Sequence, residues 1–282
     1  MIALAATLHD PSGALLPLIR RTLPVLAACY PAGIAVAATP ATHPRVVRAL
    51  RAAGAFAGTP RADARGPLYR LAIRAALAPG AERVHYLDFD RAVHWAAERP
   101  RELRSVVRRA RRVPVLLVGR TEKAHRSHHR PLHATEAVVN RLLADRLGWP
   151  GRVDFLVPSF ALGRDAARTL LRRSRAHGES IYGEWAAILA TLAPAVAYVE
   201  CNGLDWETPD RHRRAVRRLG LAAWRTRQET AGEWRLRIAM AESIVRGFER
   251  ALPARSSVAT LVRSRRLPDS TTVHARLTLP SP

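Results

Sequence analysis

The chain alternates between short, continuously apolar runs and longer stretches in which apolar residues recur every three or four positions. The runs at 2–7, 34–38, 84–87, 113–118, 153–157 and 195–199 have strand length. A run that is apolar on both sides of the pleat belongs to a strand buried on both faces. Between these runs, Leu15, Ile19, Leu23 and Leu26 predict a helix to about Cys29, with Pro24 expected to kink or shorten it. Val46, Val47 and Leu50 start a second helix that stops near Gly54, and a third spans 68–77, ended by Pro79-Gly80. Leu103, Val106, Val107 and Ala110 form one face of a fourth, with Arg104, Arg108 and Arg111 turned away. Further helices are predicted over 135–147, closed by Gly148, and over 165–173 and 184–192. This order predicts an α/β protein whose mostly parallel, Rossmann-type central sheet is flanked by helices on both faces.

The last part reads differently. Residues 211–227 carry seven arginines and no acid. From Trp234, the spacing of Ile238, Ala241, Val245 and Phe248 predicts an amphipathic helix that docks on the body or on a second copy in a homodimer. The expected organisation is a main domain over 1–210, a helical extension over 211–252, and a poorly ordered tail over 253–282, rich in Ser, Thr and Arg.

Composition narrows the class. With 282 residues, 48% of them apolar, the chain can bury a sizeable core. Two cysteines, Cys29 and Cys201, cannot build a disulfide scaffold. No run approaches the roughly 20 apolar residues of a membrane span. Residues 1–8 have no basic leader, and the expected location is cytoplasmic, with peripheral contact on the inner face of an anionic membrane. Forty-six basic against 23 acidic residues give a net charge of +23, and Lys123 is the only lysine. Such charge attracts nucleic acid, lipid headgroups or phosphorylated substrates, although arginine-for-lysine usage also follows from GC-rich coding. No zinc-finger or RNA-binding signature accompanies the arginines and no aromatics are interleaved with them. A basic nucleic-acid-binding module is therefore the weaker reading.

The sharpest chemical feature is His85-Tyr86-Leu87-Asp88-Phe89-Asp90-Arg91. Alternate strand residues share a face, so Asp88 and Asp90 are expected to converge just beyond the strand. Two close carboxylates repel unless a cation or proton intervenes, and a hard divalent ion with open positions for phosphate oxygens suits them. Ligand sites of open α/β sheets lie at the carboxyl ends of strands, where this pair falls. His125, His128, His129 and His133 crowd one segment without cysteine or ordered ligand spacing and read as a flexible basic loop. His85 reads as a satisfied core histidine. Trp95, Trp149, Trp185 and Trp206 read as core or seam residues before sugar platforms.

The opening strand–loop–helix, then Arg70-Leu71-Ala72-Ile73-Arg74-Ala75-Ala76-Leu77, then an apolar strand ending in Asp-x-Asp, resemble a nucleotide-sugar glycosyltransferase of the GT-A fold. The likeness is clearest over 1–91 and extends to about 210. His94-Trp95, Gly119-Arg120-Thr121, Thr135-Glu136 and Gly203-Leu204-Asp205-Trp206-Glu207-Thr208 resemble a group of uncharacterised bacterial GT-A-like proteins, akin to glycosyltransferase family 2. The resemblance implies that Asp88 and Asp90 hold Mn²⁺ or Mg²⁺ against the diphosphate of a sugar nucleotide. It implies that Thr7, His9 and Asp10 border the nucleotide, with Thr39 and Thr42 facing base or ribose and Arg70, Arg91 and Arg120 on the donor. Glu184 is the implied general base, although Tyr182 and Gly183 stand before it where the family pattern has an acid; Glu136 is second choice, and Asp154 a further ligand or acceptor contact. The implied activity is metal-dependent transfer of a hexose from a nucleoside-diphosphate donor to a small or lipid-linked acceptor. A nucleotidyltransferase is an alternative, disfavoured because residues 2–13 hold one glycine and no basic residue. A GT-A relative without turnover is another.

Overall fold

Every residue of the first strand, β1 (Ile2–Leu8), is buried. The computed structural model describes residues 1–60, 64–77, 80–192 and 196–252. Six more strands join β1: β2 (Ile34–Ala38), β3 (Phe56–Gly58), β4 (Arg83–Tyr86), β5 (Val115–Arg120), β6 (Phe160–Gly163) and β7 (Ala197–Cys201). They form one seven-stranded sheet in the order β3-β2-β1-β4-β6-β5-β7. All run parallel except β6, which pairs antiparallel with β4 and β5. The carboxyl ends of β1, β2, β4, β5 and β7 therefore share one edge, and the fold is the α/β class expected, mixed only at β6.

Side-chain alternation divides the core. Ile2, Leu4, Ala6 and Leu8 face a layer of α1 (Leu16–Cys29), α2 (Pro44–Ala52), α4 (Phe89–Glu98) and α5 (Pro100–Ala110). Ala3 and Ala5 face α3 (Arg65–Ala76), α7 (Arg130–Leu147), α8 (Arg164–Arg173), α9 (Ser180–Leu189) and α12 (Ala231–Ala251). Helix α1 runs unbroken through Pro24. The carbonyl that Pro24 leaves without a donor belongs to Arg20, on the exposed face, where water can satisfy it. Gly148 closes α7 in the left-handed region, with φ of 60°, as its position predicts.

Several expectations are corrected. Residues 153–157 are buried but form no strand; Asp154 and Phe155 instead bond to side chains, and the strand falls at 160–163. The histidine-rich segment is not a flexible loop. It forms α6 (Glu122–Ser127) and opens α7, with His125, His128 and His129 buried. The short strand β3 carried no periodicity long enough to be read. Residues 211–227 give a 3-10 turn (Thr208–Arg211), α10 (Arg213–Leu219) and α11 (Leu221–Thr226), of which only Trp224 is buried in the two helices. The expected break at Pro79, the start of the seventh strand at 195, and the tail over 253–282 lie outside the described residues.

Helix α12 packs its Ile244, Gly247 and Phe248 against α9. The backbones come so close that a Cβ on Gly183 would strike the carbonyl of Ile244, and one on Gly247 the carbonyl of Ser180. We expect Gly247→Ala to lower the urea midpoint by an amount equivalent to about 1–3 kcal/mol, as overpacking does. An unchanged midpoint would show that this crossing is loose.

Candidate active site

Strand β4 stops at Tyr86, and Asp88 takes the N-cap position of α4, with Asp90 in its first turn. The two carboxylates therefore meet through the geometry of a helix start, and not through strand alternation as expected. Thr7, near the carboxyl end of β1, donates its hydroxyl to Asp88 Oδ1 at 2.9 Å, and the Tyr86 hydroxyl donates to the same oxygen at 3.2 Å. No described residue donates to Asp88 Oδ2. Burial, then the charge of Asp90, pushes the Asp88 carboxyl up to about 6, with Arg91 and the Thr7 bond opposing.

Asp90 is more fully engaged. Its Oδ1 accepts the Arg91 amide at 2.9 Å and its Oδ2 the Arg211 guanidinium at 2.7 Å. The other arm of Arg211 donates to the carbonyl of His9. Arg211 thus bridges the tip of β1 to the start of α4. Beside it, His9 Nδ1 and Thr39 Oγ1 lie 2.9 Å apart, and Thr42 Oγ1 donates to the Leu8 carbonyl at 3.2 Å. Thr7, His9, Thr39, Asp88, Asp90 and Arg91 are brought to one edge of the sheet.

Residues 202–211 cross this edge and are tied down at three points. The Asn202 and Gly203 amides donate to Glu102 at 2.9 and 2.7 Å, and the Trp95 indole donates to Glu102 at 2.9 Å. Gly203 is required because a Cβ there would enter the Trp95 ring. His94 sits between Asp205, 2.9 Å from Nε2, and Asp210, 2.7 Å from Nδ1. Burial opposes its protonation, but the two carboxylates outweigh burial and push it up to about 10. Arg91 forms an ion pair with Glu207 at 3.2 Å.

Arg120, at the end of β5, is completely buried. Its Nε and Nη2 donate to Asp154 at 2.6 and 3.0 Å, and Nη2 also donates to Glu136. Asn140 donates a further bond to Asp154 at 2.9 Å. Although burial works against ionisation, Arg120 holds the Asp154 carboxyl well below the usual range. Asp154 and Glu136 are thereby counter-ions of Arg120.

Three implied roles are not supported by placement. Asp10 is buried and accepts from the Ser12 hydroxyl and from the amides of Ala14 and Leu15, which shapes the turn before α1. Arg70 donates to the Ala176 carbonyl at 2.7 Å. Glu184 accepts from the Ser174 hydroxyl at 2.7 Å and from the amides of Arg175 and Ala176 at 2.6 and 2.9 Å. Arg70 and Glu184 hold the segment between α8 and α9, and both Glu184 carboxylate oxygens are engaged there. Sequence reasoning missed Tyr86, Arg211 and the two-sided clasp on His94. The arginine stripe gave no sign that its first member turns inward.

No family model and no curated protein matches this chain. Among solved structures, it is similar to the crystal structure of glucosyl-3-phosphoglycerate synthase from Mycobacterium tuberculosis in complex with uridine-diphosphate. The identity is 14% over 71% of this chain and 69% of that one, with a TM-score of 0.45. A likeness this slight assigns no role to any residue of the site.

Two outcomes are expected. The raised His94 value means that the clasp is fully formed below its ordinary pKa of 6.5 and is lost as pH climbs through about 10. His94→Gln should therefore cost about 1–3 kcal/mol at pH 6, with the gap to wild type narrowing by pH 10 in thermal melts; a pH-independent gap would refute the clasp. Glu184→Gln should lower stability by about 1–3 kcal/mol in urea unfolding, because a carboxamide cannot accept all three bonds.

Proposed function

We propose that this protein is a glycosyltransferase that moves a sugar from a nucleoside-diphosphate donor to an acceptor, with a divalent metal at Asp88 and Asp90. The observation that carries the reading is the acid pair at the carboxyl edge of the central strand. It stands beside a shelf of Thr7, His9, Thr39 and Thr42 at and just beyond the carboxyl ends of β1 and β2.

The residues present fit a hard dication. Asp88 keeps one carboxylate oxygen without a protein donor, and burial first and the Asp90 charge second raise its value, both of which a bound cation would offset. When bound, Mn²⁺ or Mg²⁺ would neutralise charge on the departing diphosphate. Thr7 and Tyr86 fix the orientation of Asp88. The His9–Thr39 pair offers polar contacts to the nucleoside. Arg211 holds Asp90 as its counter-ion and has to release Oδ2 for the pair to act together. Glu184 is committed to its loop, and the reading therefore assigns it no part as base.

The Arg211–Asp90 ion pair also favours a second reading, a relative that binds the nucleotide without turning it over. Consumption of UDP- or GDP-sugars by the wild-type protein separates the two.

Calorimetry with UDP and with GDP should show binding that needs Mn²⁺. Asp88→Asn and Asp90→Asn should each weaken it by about tenfold or more, the loss of a charge-assisted contact, with unchanged circular dichroism. Absence of metal-dependent heat with either nucleotide would overturn the reading.

A further inference from the structure

Buried donors and acceptors in folded proteins are nearly always paired. Beside the acid pair this rule fails repeatedly. Arg91 Nη1, Arg120 Nη1, His128 Nε2 and Glu207 Oε2 are all buried with no hydrogen-bond partner among the described residues. They belong to one neighbourhood. Arg91 Nη1 lies 3.2 Å from Glu207 Oε2 without the alignment of a hydrogen bond, and His128 Nε2 lies 3.9 Å from the same oxygen. Arg91 and Arg120 repel each other, and both act with burial to hold His128 well below its ordinary value. The side chains of Arg120 and His128 are 0% and 1% exposed.

The polarity of this niche is defined. His128 Nδ1 donates to the Ala124 carbonyl at 3.1 Å, so in the neutral ring Nε2 carries the lone pair. The niche therefore offers two guanidinium donors, one ring acceptor and one carboxylate acceptor. Two guanidinium arms recognise a carboxylate or a phosphate, and an adjacent acceptor recognises a hydroxyl.

The sheet order says which substrate this is. The polar shelf of Thr7, His9 and Thr39 lies on the β1–β2 side of β4, whereas Arg120 ends β5, on the opposite side. A donor laid across β1 and β2 with its diphosphate at Asp88 leaves the β5 side for the other reactant. We propose that Arg91, Arg120 and His128 form a subsite for the second substrate, and that this acceptor is a small anion bearing a carboxylate or phosphate beside a hydroxyl. The naming of this ligand as the acceptor rests on the glycosyltransferase reading; the anion site itself does not. It replaces the donor role implied for Arg120 by the sequence.

The test is calorimetry on the full chain with glycerol 3-phosphate, lactate and, as the neutral control, glycerol. Glycerol 3-phosphate or lactate is expected to bind without metal and to keep its affinity when UDP and Mn²⁺ are saturating; which of the two binds tells phosphate from carboxylate. Arg120→Lys should weaken that binding by about tenfold or more, the loss of the charged Nη1 donor that the Asp154 and Glu136 bonds leave over. His128→Ala, which leaves the Asp154 and Glu136 pairs intact, should weaken it several-fold and serves if Arg120→Lys does not fold. Binding of neither anion, equal binding of glycerol, or displacement by UDP overturns the proposal; in the first two cases UDP binding still judges the donor reading by itself. Binding of an anion by a protein that ignores UDP with Mn²⁺ would keep the anion site and remove the glycosyltransferase.

Discussion

Two carboxylates are forced side by side where the central strand gives way to a helix, and much of the surrounding structure answers that repulsion. Asp88 is steadied by two hydroxyls, one from its own strand and one from the neighbouring strand, yet stays reluctant to ionise. Asp90 is neutralised by an arginine that arrives from more than a hundred residues later. An acid pair of this kind is costly to keep unless a positive group is to be exchanged there. The contrast with the rest of the chain is sharp, since the whole protein carries a charge of +23. Acids are scarce, and a large share of them gather at one sheet edge: Asp88, Asp90, Glu136, Asp154, Asp205, Glu207 and Asp210.

Around this pair the polar network has a graded character. Arg120 and Asp154 are locked together by several bonds and act as a post beneath the edge. His94 is fastened on both ring nitrogens. Arg91, Glu207 and His128 are close to one another but not well bonded. Rigid members define the position of the edge, and loosely bonded ones keep hydrogen-bonding capacity for something outside the chain.

Much of the fold was legible because it rests on long buried strands and amphipathic helices. The runs at 2–7, 34–38 and 84–87 read correctly since both faces of each are covered, which leaves an unbroken apolar signature. The run at 153–157 misled for the same reason: it is buried, but its backbone answers to Asn140 and Tyr198 side chains and not to a strand. The acid pair was legible by its spacing and its place after a strand, although the actual geometry is that of a helix cap. Arg211, the Glu184 clamp and the His94 clasp were not legible. Each depends on residues brought together from distant parts of the chain, and a charged residue that will turn inward looks the same in sequence as one left in water. The histidine-rich stretch was misjudged because polar composition suggested solvent, whereas Pro131 and Leu132 and the first turns of α6 and α7 pull it inside.

The seating of Gly203 has a mechanical corollary. Glu102 takes two backbone amides of the crossing segment and the Trp95 indole at once, and the indole fills the space a side chain at 203 would need. Lifting 202–203 would strip two donors of one acceptor in a single motion and leave the indole as the only donor on Glu102. That end of the segment is anchored on α5 through Glu102 and on α4 through Trp95, and His94 and Arg91 of α4 fasten Asp205, Asp210 and Glu207 further along. The crossing from 202 to 211 can leave the sheet edge only by giving up the Glu102, His94 and Arg91 contacts together.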